Sequence, residues 1–118
     1  MPLKRRILIV DDDRSLRTGL ATLVETEGHE AVTAATVTEG MDKFASEPSH
    51  LILDMNLPDG VGTTILRHVR TNDLPIKVAV LSGATDAALL GEVADLRPDA
   101  TFTKPPDWDA LLGWVTAA

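Results

Sequence analysis

The chain has 118 residues, no cysteine, and 18 acidic against 11 basic side chains, for a formal charge of −7. This length argues for one domain. The composition excludes a disulfide framework or thiolate metal site and argues against direct nucleic-acid binding, because a phosphate backbone would be repelled. No segment is apolar for long enough to make a signal peptide or a membrane span, so the cytoplasm is the expected compartment and no membrane is an expected partner.

The first apolar run, Ile7 to Val10, ends on three adjacent acids, Asp11, Asp12 and Asp13. Leu16, Leu20, Leu23 and Val24 then recur at helical spacing, with Gly28 as the expected C-terminal cap. Ala31 to Ala35 is a second strand, and Met41 and Phe44 mark a second helix. Leu51 to Leu53 is a third strand, ending on Asp54, and Ile65, Leu66 and Val69 mark a third helix. Val78 to Leu81 leads into Ser82, followed by Leu89, Leu90 and Val93 in a fourth helix. A short strand around Phe102 precedes Lys104, and Asp107 caps a last helix carrying Trp108, Leu111, Leu112 and Val115.

Five strands alternating with five helices give an α/β protein with a parallel sheet covered on both faces. The first, third and fourth runs show little alternation, as strands buried on both sides should. In such sheets the ligand site lies at the carboxyl ends of the strands. Asp11, Asp12, Asp54, Ser82 and Lys104 all follow strands and would meet along one edge.

Asp13 is read as the cap of the first helix. Asp11 and Asp12 alone are equally compatible with capping and with metal binding. Asp54 shifts the balance, since a third carboxylate from a different strand completes an oxygen site for Mg2+, with room for a backbone carbonyl. Lys104 in "FTKPP" is aimed back by its prolines and would lower the carboxylate pKa values and hold an incoming anion. Ser82 lacks a base for nucleophilic catalysis, because His50 starts its strand at the opposite edge and His29 and His68 fall beside no strand end here. It is read as a donor to a bound anion. Together these groups suit phosphoryl transfer, with Asp54 as nucleophile forming an acyl phosphate.

At this point the sequence resembles the receiver domain of two-component response regulators, through "ILIVDDD", "LILDMNLPDGVG", "VLSG" and "TFTKP" in that order. The resemblance covers nearly the whole chain and implies a flavodoxin-like, doubly wound five-stranded parallel sheet of order 2-1-3-4-5, with residues 1–118 as one receiver domain lacking an output domain. It implies that Asp54 is phosphorylated by a histidine kinase or small phosphodonor. Asp11 and Asp12 would bind Mg2+ with Asn56 adding its backbone carbonyl, and Ser82 and Lys104 would contact the phosphoryl group. Pro58 and Gly62 match the following loop, and Asn56 and Ala84 hold places that tune acyl-phosphate lifetime. The implied partners are a sensor histidine kinase or phosphotransfer protein, a downstream protein or output domain on the fourth helix–fifth strand–fifth helix face, and a second copy on activation.

The chain departs from the family pattern at three places. Thr101 stands where the switch aromatic is usual, with Phe102 on the other face of the strand. Pro106 replaces an aromatic after the lysine–proline pair, and Arg97-Pro98 replaces the glycine that usually ends the fourth helix. The expected role is a signalling switch and not a metabolic enzyme. One alternative is a receiver-like module that binds partners without being phosphorylated. The other is a small Mg2+-dependent aspartyl-phosphate phosphohydrolase, which would favour an Asp-x-Asp nucleophile motif and a cap domain.

Overall fold

The computed structural model describes residues 4–83 and 89–117. Its elements run β1 (Arg6–Val10), α1 (Arg14–Thr26), β2 (Glu30–Ala34), α2 (Val37–Asp42), a 3-10 turn (Lys43–Ser46), β3 (His50–Asp54), β4 (Asn56–Leu57), β5 (Gly60–Val61), α3 (Thr63–Thr71), β6 (Lys77–Ser82), α4 (Leu90–Asp95), β7 (Ala100–Thr103) and α5 (Trp108–Thr116). The main sheet is parallel with order β2-β1-β3-β6-β7. Leaving aside the two-residue strands β4 and β5, this is the expected order 2-1-3-4-5.

Every residue of β3 is buried, and β1 and β6 each leave only their first residue outside the core. Edge strand β7 instead alternates, with Thr101 and Thr103 outward and Ala100 and Phe102 inward. One face of the sheet packs Leu8, Val10, Leu51, Leu53, Val78 and Val80 against Ile65, Leu66 and Val69 of α3 and Val93 of α4. The other packs Ile7, Ile9, Ile52, Ala79 and Leu81 against Leu20, Ala21 and Val24 of α1 and Leu111 and Val115 of α5. This two-sided burial explains why the central strands read as unbroken apolar runs.

The expected caps form. Asp13 Oδ1 accepts from Leu16 N at 3.2 Å, and Asp107 Oδ1 accepts from Ala110 N at 3.1 Å. Gly28, at φ +87°, follows α1 in the left-handed region that a side chain would disfavour.

Three features differ from the sequence reading. The second helix stops at Asp42 and tightens into the 3-10 turn that carries Phe44, and that turn ends at Glu47, which takes a left-handed φ of 57° ahead of Pro48. Trp108 does not enter the core: it is 39% exposed, and its ring lies across α1 at Gly19, where a Cβ would come within 2.8 Å of Trp108 Cη2. The loop after β3 is a small antiparallel hairpin, β4–β5, pairing Asn56 with Val61 and Leu57 with Gly60.

Candidate metal and phosphoryl-transfer site

The three adjacent aspartates have three fates. Asp11 extends β1, its N–H donating to Ala34 O at 3.1 Å, and its side chain is fully buried. Its Oδ1 accepts from Asp13 N at 2.9 Å, and its carbonyl accepts from Arg17 Nη1 at 2.8 Å. Asp12 is exposed, and Asp13 turns away to cap α1.

Asp54 ends β3 beside β1 and is 3% exposed. One carboxylate oxygen each from Asp11, Asp12 and Asp54 lies within 4.8 Å of the others. From the far side, Lys104 Nζ stands 2.9 Å from Asp54 Oδ1 and 3.3 Å from Asp11 Oδ2. The Lys104 backbone is fixed by its N–H donating to Ser82 O at 2.8 Å, and the Lys104–Pro105 bond is cis. Ser82, 6% exposed, ends β6 one residue past Leu81, the register partner of Asp54. The strands thus bring all the predicted side chains to one edge.

Burial decides the electrostatics of Asp54. Desolvation pushes its carboxyl from 3.8 up to about 6, with Asp11 adding repulsion, and the hydrogen bonds from Lys104 and the Asn56 main chain only partly offset this. The expected lowering by Lys104 is therefore present but outweighed. For Lys104 the balance reverses: burial alone would lower its pKa, but its hydrogen bond to Asp54 and the pull of both aspartates leave it raised.

The donors fit a hard divalent cation. All are oxygens, and Asp11 Oδ2 is buried with an ionic neighbour but, among the described residues, no hydrogen-bond donor aligned to it. Soft-metal ligands are absent from the cluster, which is made of aspartates only.

Distance excludes His50 as a base for Ser82. His50 pairs with Lys77 at the start of β6, five positions from Ser82, or about 16 Å along a strand. His50 instead packs edge-on to Trp114 at 5.2 Å, and His29 Nδ1 accepts from Arg5 N at 3.0 Å.

An oxygen cluster at the carboxyl edge of a 2-1-3-4-5 sheet, faced by a lysine, agrees with the comparison to known families: the response regulator receiver domain matches residues 7–116. The chain belongs to that family. Receiver domains are signalling modules of two-component systems and work with histidine kinases or phosphotransfer proteins. Response regulator RR06 of Streptococcus pneumoniae is 35% identical over 101 residues, covering 84% of this chain and 46% of that protein. Sporulation initiation phosphotransferase F of Bacillus subtilis is 29% identical over 110 residues, covering 92% of this chain and 89% of that one. A CheY-like receiver domain structure from Methanospirillum hungatei superposes with a TM-score of 0.87 at 30% identity, covering 96% of this chain and 91% of its own. The chain spans about half the length of several curated relatives it matches.

This receiver domain keeps the departures noted above. Thr101 is exposed on β7 while Phe102 packs into the core. Pro106 is buried. Arg97 takes the left-handed φ of 52° that a glycine would take freely. The turn is held by Arg70, which donates to Leu96 O at 3.0 Å and Arg97 O at 2.7 Å and pairs with Asp99 at 3.2 Å. Ala84 lies outside the described residues.

Asp59, in the "LPDG" segment, stands apart from the cluster: it is exposed, and its carboxylate accepts from the start of α2. Gly62 was legible only as a family match. A Cβ there would overlap the Asp54 carbonyl oxygen, and its N–H donates to Met55 O at 2.7 Å.

Proposed function

We propose that this receiver domain is a phosphorylation-controlled switch in which Asp54 accepts a phosphoryl group from a histidine kinase or phosphotransfer protein. The observation that carries the reading is the bridging of buried Asp54 and Asp11 by Lys104, with Asp12 completing the oxygen cluster.

Asp11, Asp12 and Asp54, with the Asn56 backbone carbonyl, would hold Mg2+. When bound, it would supply positive charge against the crowded carboxylates and the incoming anion. An Asp54 carboxylate oxygen attacks phosphorus, the phosphorus–nitrogen bond of the donor phosphohistidine breaks, and its electron pair leaves with the imidazole nitrogen. The Lys104 ammonium then holds a phosphoryl oxygen that replaces its contact with Asp54, and the Ser82 hydroxyl donates to another. Adding about 1.5 to 2 negative charges with strong acceptor oxygens biases a two-state element and not a metabolic step.

The draw on Ser82 and Lys104 passes to the segments that follow them, so the output face is α4, β7 and α5, open to a downstream protein, an output domain or a second copy. Residues 1–118 act as one receiver unit in the cytoplasm. Among the described residues no helix is long and apolar enough to cross a membrane.

Incubation with Mg2+ and phosphoramidate, followed by intact mass, tests the reading. A single added phosphoryl group that is lost with EDTA present and in Asp54→Asn supports it. An unmodified wild-type chain refutes it and leaves a phosphorylation-independent binding module. Sustained hydrolysis of many phosphoesters would point to a phosphohydrolase.

A further inference from the structure

Asp59 sits at the tip of the β4–β5 hairpin, and its carboxylate reaches a separate helix. Asp59 Oδ1 accepts from Val37 N at 2.7 Å, and Oδ2 accepts from Thr38 N at 3.0 Å and Thr38 Oγ1 at 2.9 Å. These bonds from Thr38 and Val37 hold the carboxyl below the usual carboxylate range. The cap of α2 on its own chain is a different group: Thr36 Oγ1 accepts from Glu39 N at 3.0 Å. The first turn of α2 is thus shared between its own Thr36 and a loop residue distant in sequence.

Apart from Leu57, which is 8% exposed and joins the core, the hairpin is outside the core and its own ladder is short. It has two residues per strand, and two-stranded ribbons are marginal in water even when longer. Its near end is fixed by Gly62 against Asp54 and Met55. Its far end is held where Asp59 grips α2 and Gly60 lies against Val37, a Cβ there coming within 3.4 Å of Val37 Cγ2. The helix is itself a firm anchor, because Gly40 lets it close onto Ile65 of α3 and Val10, the neighbour of Asp11. Between the two fixed ends lies Asn56, whose main chain already bonds to the Asp54 carboxyl.

We propose that Asp59 is a positioning residue for the cation site: by holding the hairpin tip on α2, it sets the Asn56 main chain against the Asp11–Asp12–Asp54 cluster. The proposal rests on the Mg2+ reading given above and extends it to a residue that touches neither cation nor phosphoryl group. The coupling is reciprocal by thermodynamic necessity, so cation binding must also steady the start of α2.

The test is calorimetric titration of Mg2+ into wild type, Asp59→Ala, Asp59→Asn and Thr36→Val, in salt of about 0.5 M so that through-solvent attraction to the Asp59 charge is screened. Asp59→Ala weakens binding about tenfold, the scale of other residues that orient metal ligands. Asp59→Asn, which keeps one acceptor oxygen, falls between. Thr36→Val removes one cap of the α2 start but leaves all three Asp59 bonds, so it weakens binding less than Asp59→Ala does. At saturating Mg2+ the phosphorylation rate of Asp59→Ala returns to that of wild type, and in wild type Mg2+ slows amide exchange at Val37 and Thr38. Equal affinity of wild type and Asp59→Ala overturns the proposal, as does a Thr36→Val loss as large as that of Asp59→Ala. A wild-type chain that binds no Mg2+ defeats the cation reading itself and the proposal with it.

Discussion

Lys104 Nζ lies 2.9 Å from Asp54 Oδ1, an ion pair that ties the end of β7 to the end of β3 across β6. The pair is nearly sealed, with the Asp54 side chain 4% exposed and that of Lys104 27% exposed. If Asp54 is the phosphoacceptor as proposed, this cation stands where charge would develop on the transferring phosphoryl group. Lys104→Met should therefore slow phosphorylation by phosphoramidate on the order of 10²-fold at saturating Mg2+. Mg2+ binding should survive, because every oxygen ligand remains. Loss of Mg2+ binding with an unchanged saturated rate would contradict this division of labour.

The raised pKa of Asp54 makes a stability prediction for the metal-free protein. Its folded value of about 6 exceeds the ordinary 3.8, so between these the folded chain holds the extra proton. The stability this contributes is full below 3.8 and is lost as pH rises through 6. Asp54→Asn cannot ionise, so in EDTA it should gain on wild type as pH goes from 4 to 7, by about 1–3 kcal/mol. Urea unfolding at several pH values measures the gap, and a gap that narrows towards pH 7 would be the wrong sign.

His50 works in the opposite sense. Burial, then the nearby charges of Arg5 and Lys77, lower its pKa from 6.5 to about 4. Its Nε2 is buried without a hydrogen-bond partner among the described residues, while Nδ1 meets Ser49 Oγ at 2.8 Å. The unfolded chain takes up the proton first, so the stability held above 6.5 drains away as pH falls towards 4. At pH 5 the loss is about 2 kcal/mol. His50→Phe, which keeps an aromatic ring beside Trp114 and cannot be protonated, should remove this slope. An unchanged slope in the variant would place the titrating group elsewhere.

Much of this was legible in the sequence because it depends on local rules. Unbroken apolar runs announced strands buried on both faces, and Asp13 and Asp107 announced helix starts. The convergence of Asp11, Asp12, Asp54, Ser82 and Lys104 followed from the rule for strand ends. What stayed hidden depends on long-range geometry. The direction of the Asp54 shift required the depth of its burial, and no pattern in "LPDG" shows that Asp59 faces α2. The break of the second helix at Asp42 had no local signal, because Met41 and Phe44 kept the apolar spacing across it. Trp108 had the right spacing for the core, and only the contact with Gly19 shows why it lies outside.

Two glycines separate steric need from helix propensity. Gly62 has an ordinary φ of −60°, so its requirement is space alone: Gly62→Ala would press on the Asp54 carbonyl and should cost about 1–3 kcal/mol. Gly113, exposed in α5 with nothing near its missing Cβ, should gain about 0.5–1 kcal/mol as Gly113→Ala. Thermal unfolding of both variants checks the pair, and a neutral Gly62→Ala would mean that the β3–α3 loop has room to yield.

The central claim is that the phosphoryl group sits on one carboxylate, that of Asp54. Reduction of the phosphorylated protein with borohydride converts an aspartyl phosphate to homoserine, which peptide mass spectrometry then locates. Homoserine at position 54 alone is the predicted result; homoserine at position 11, 12 or 59, or at none, would contradict the account.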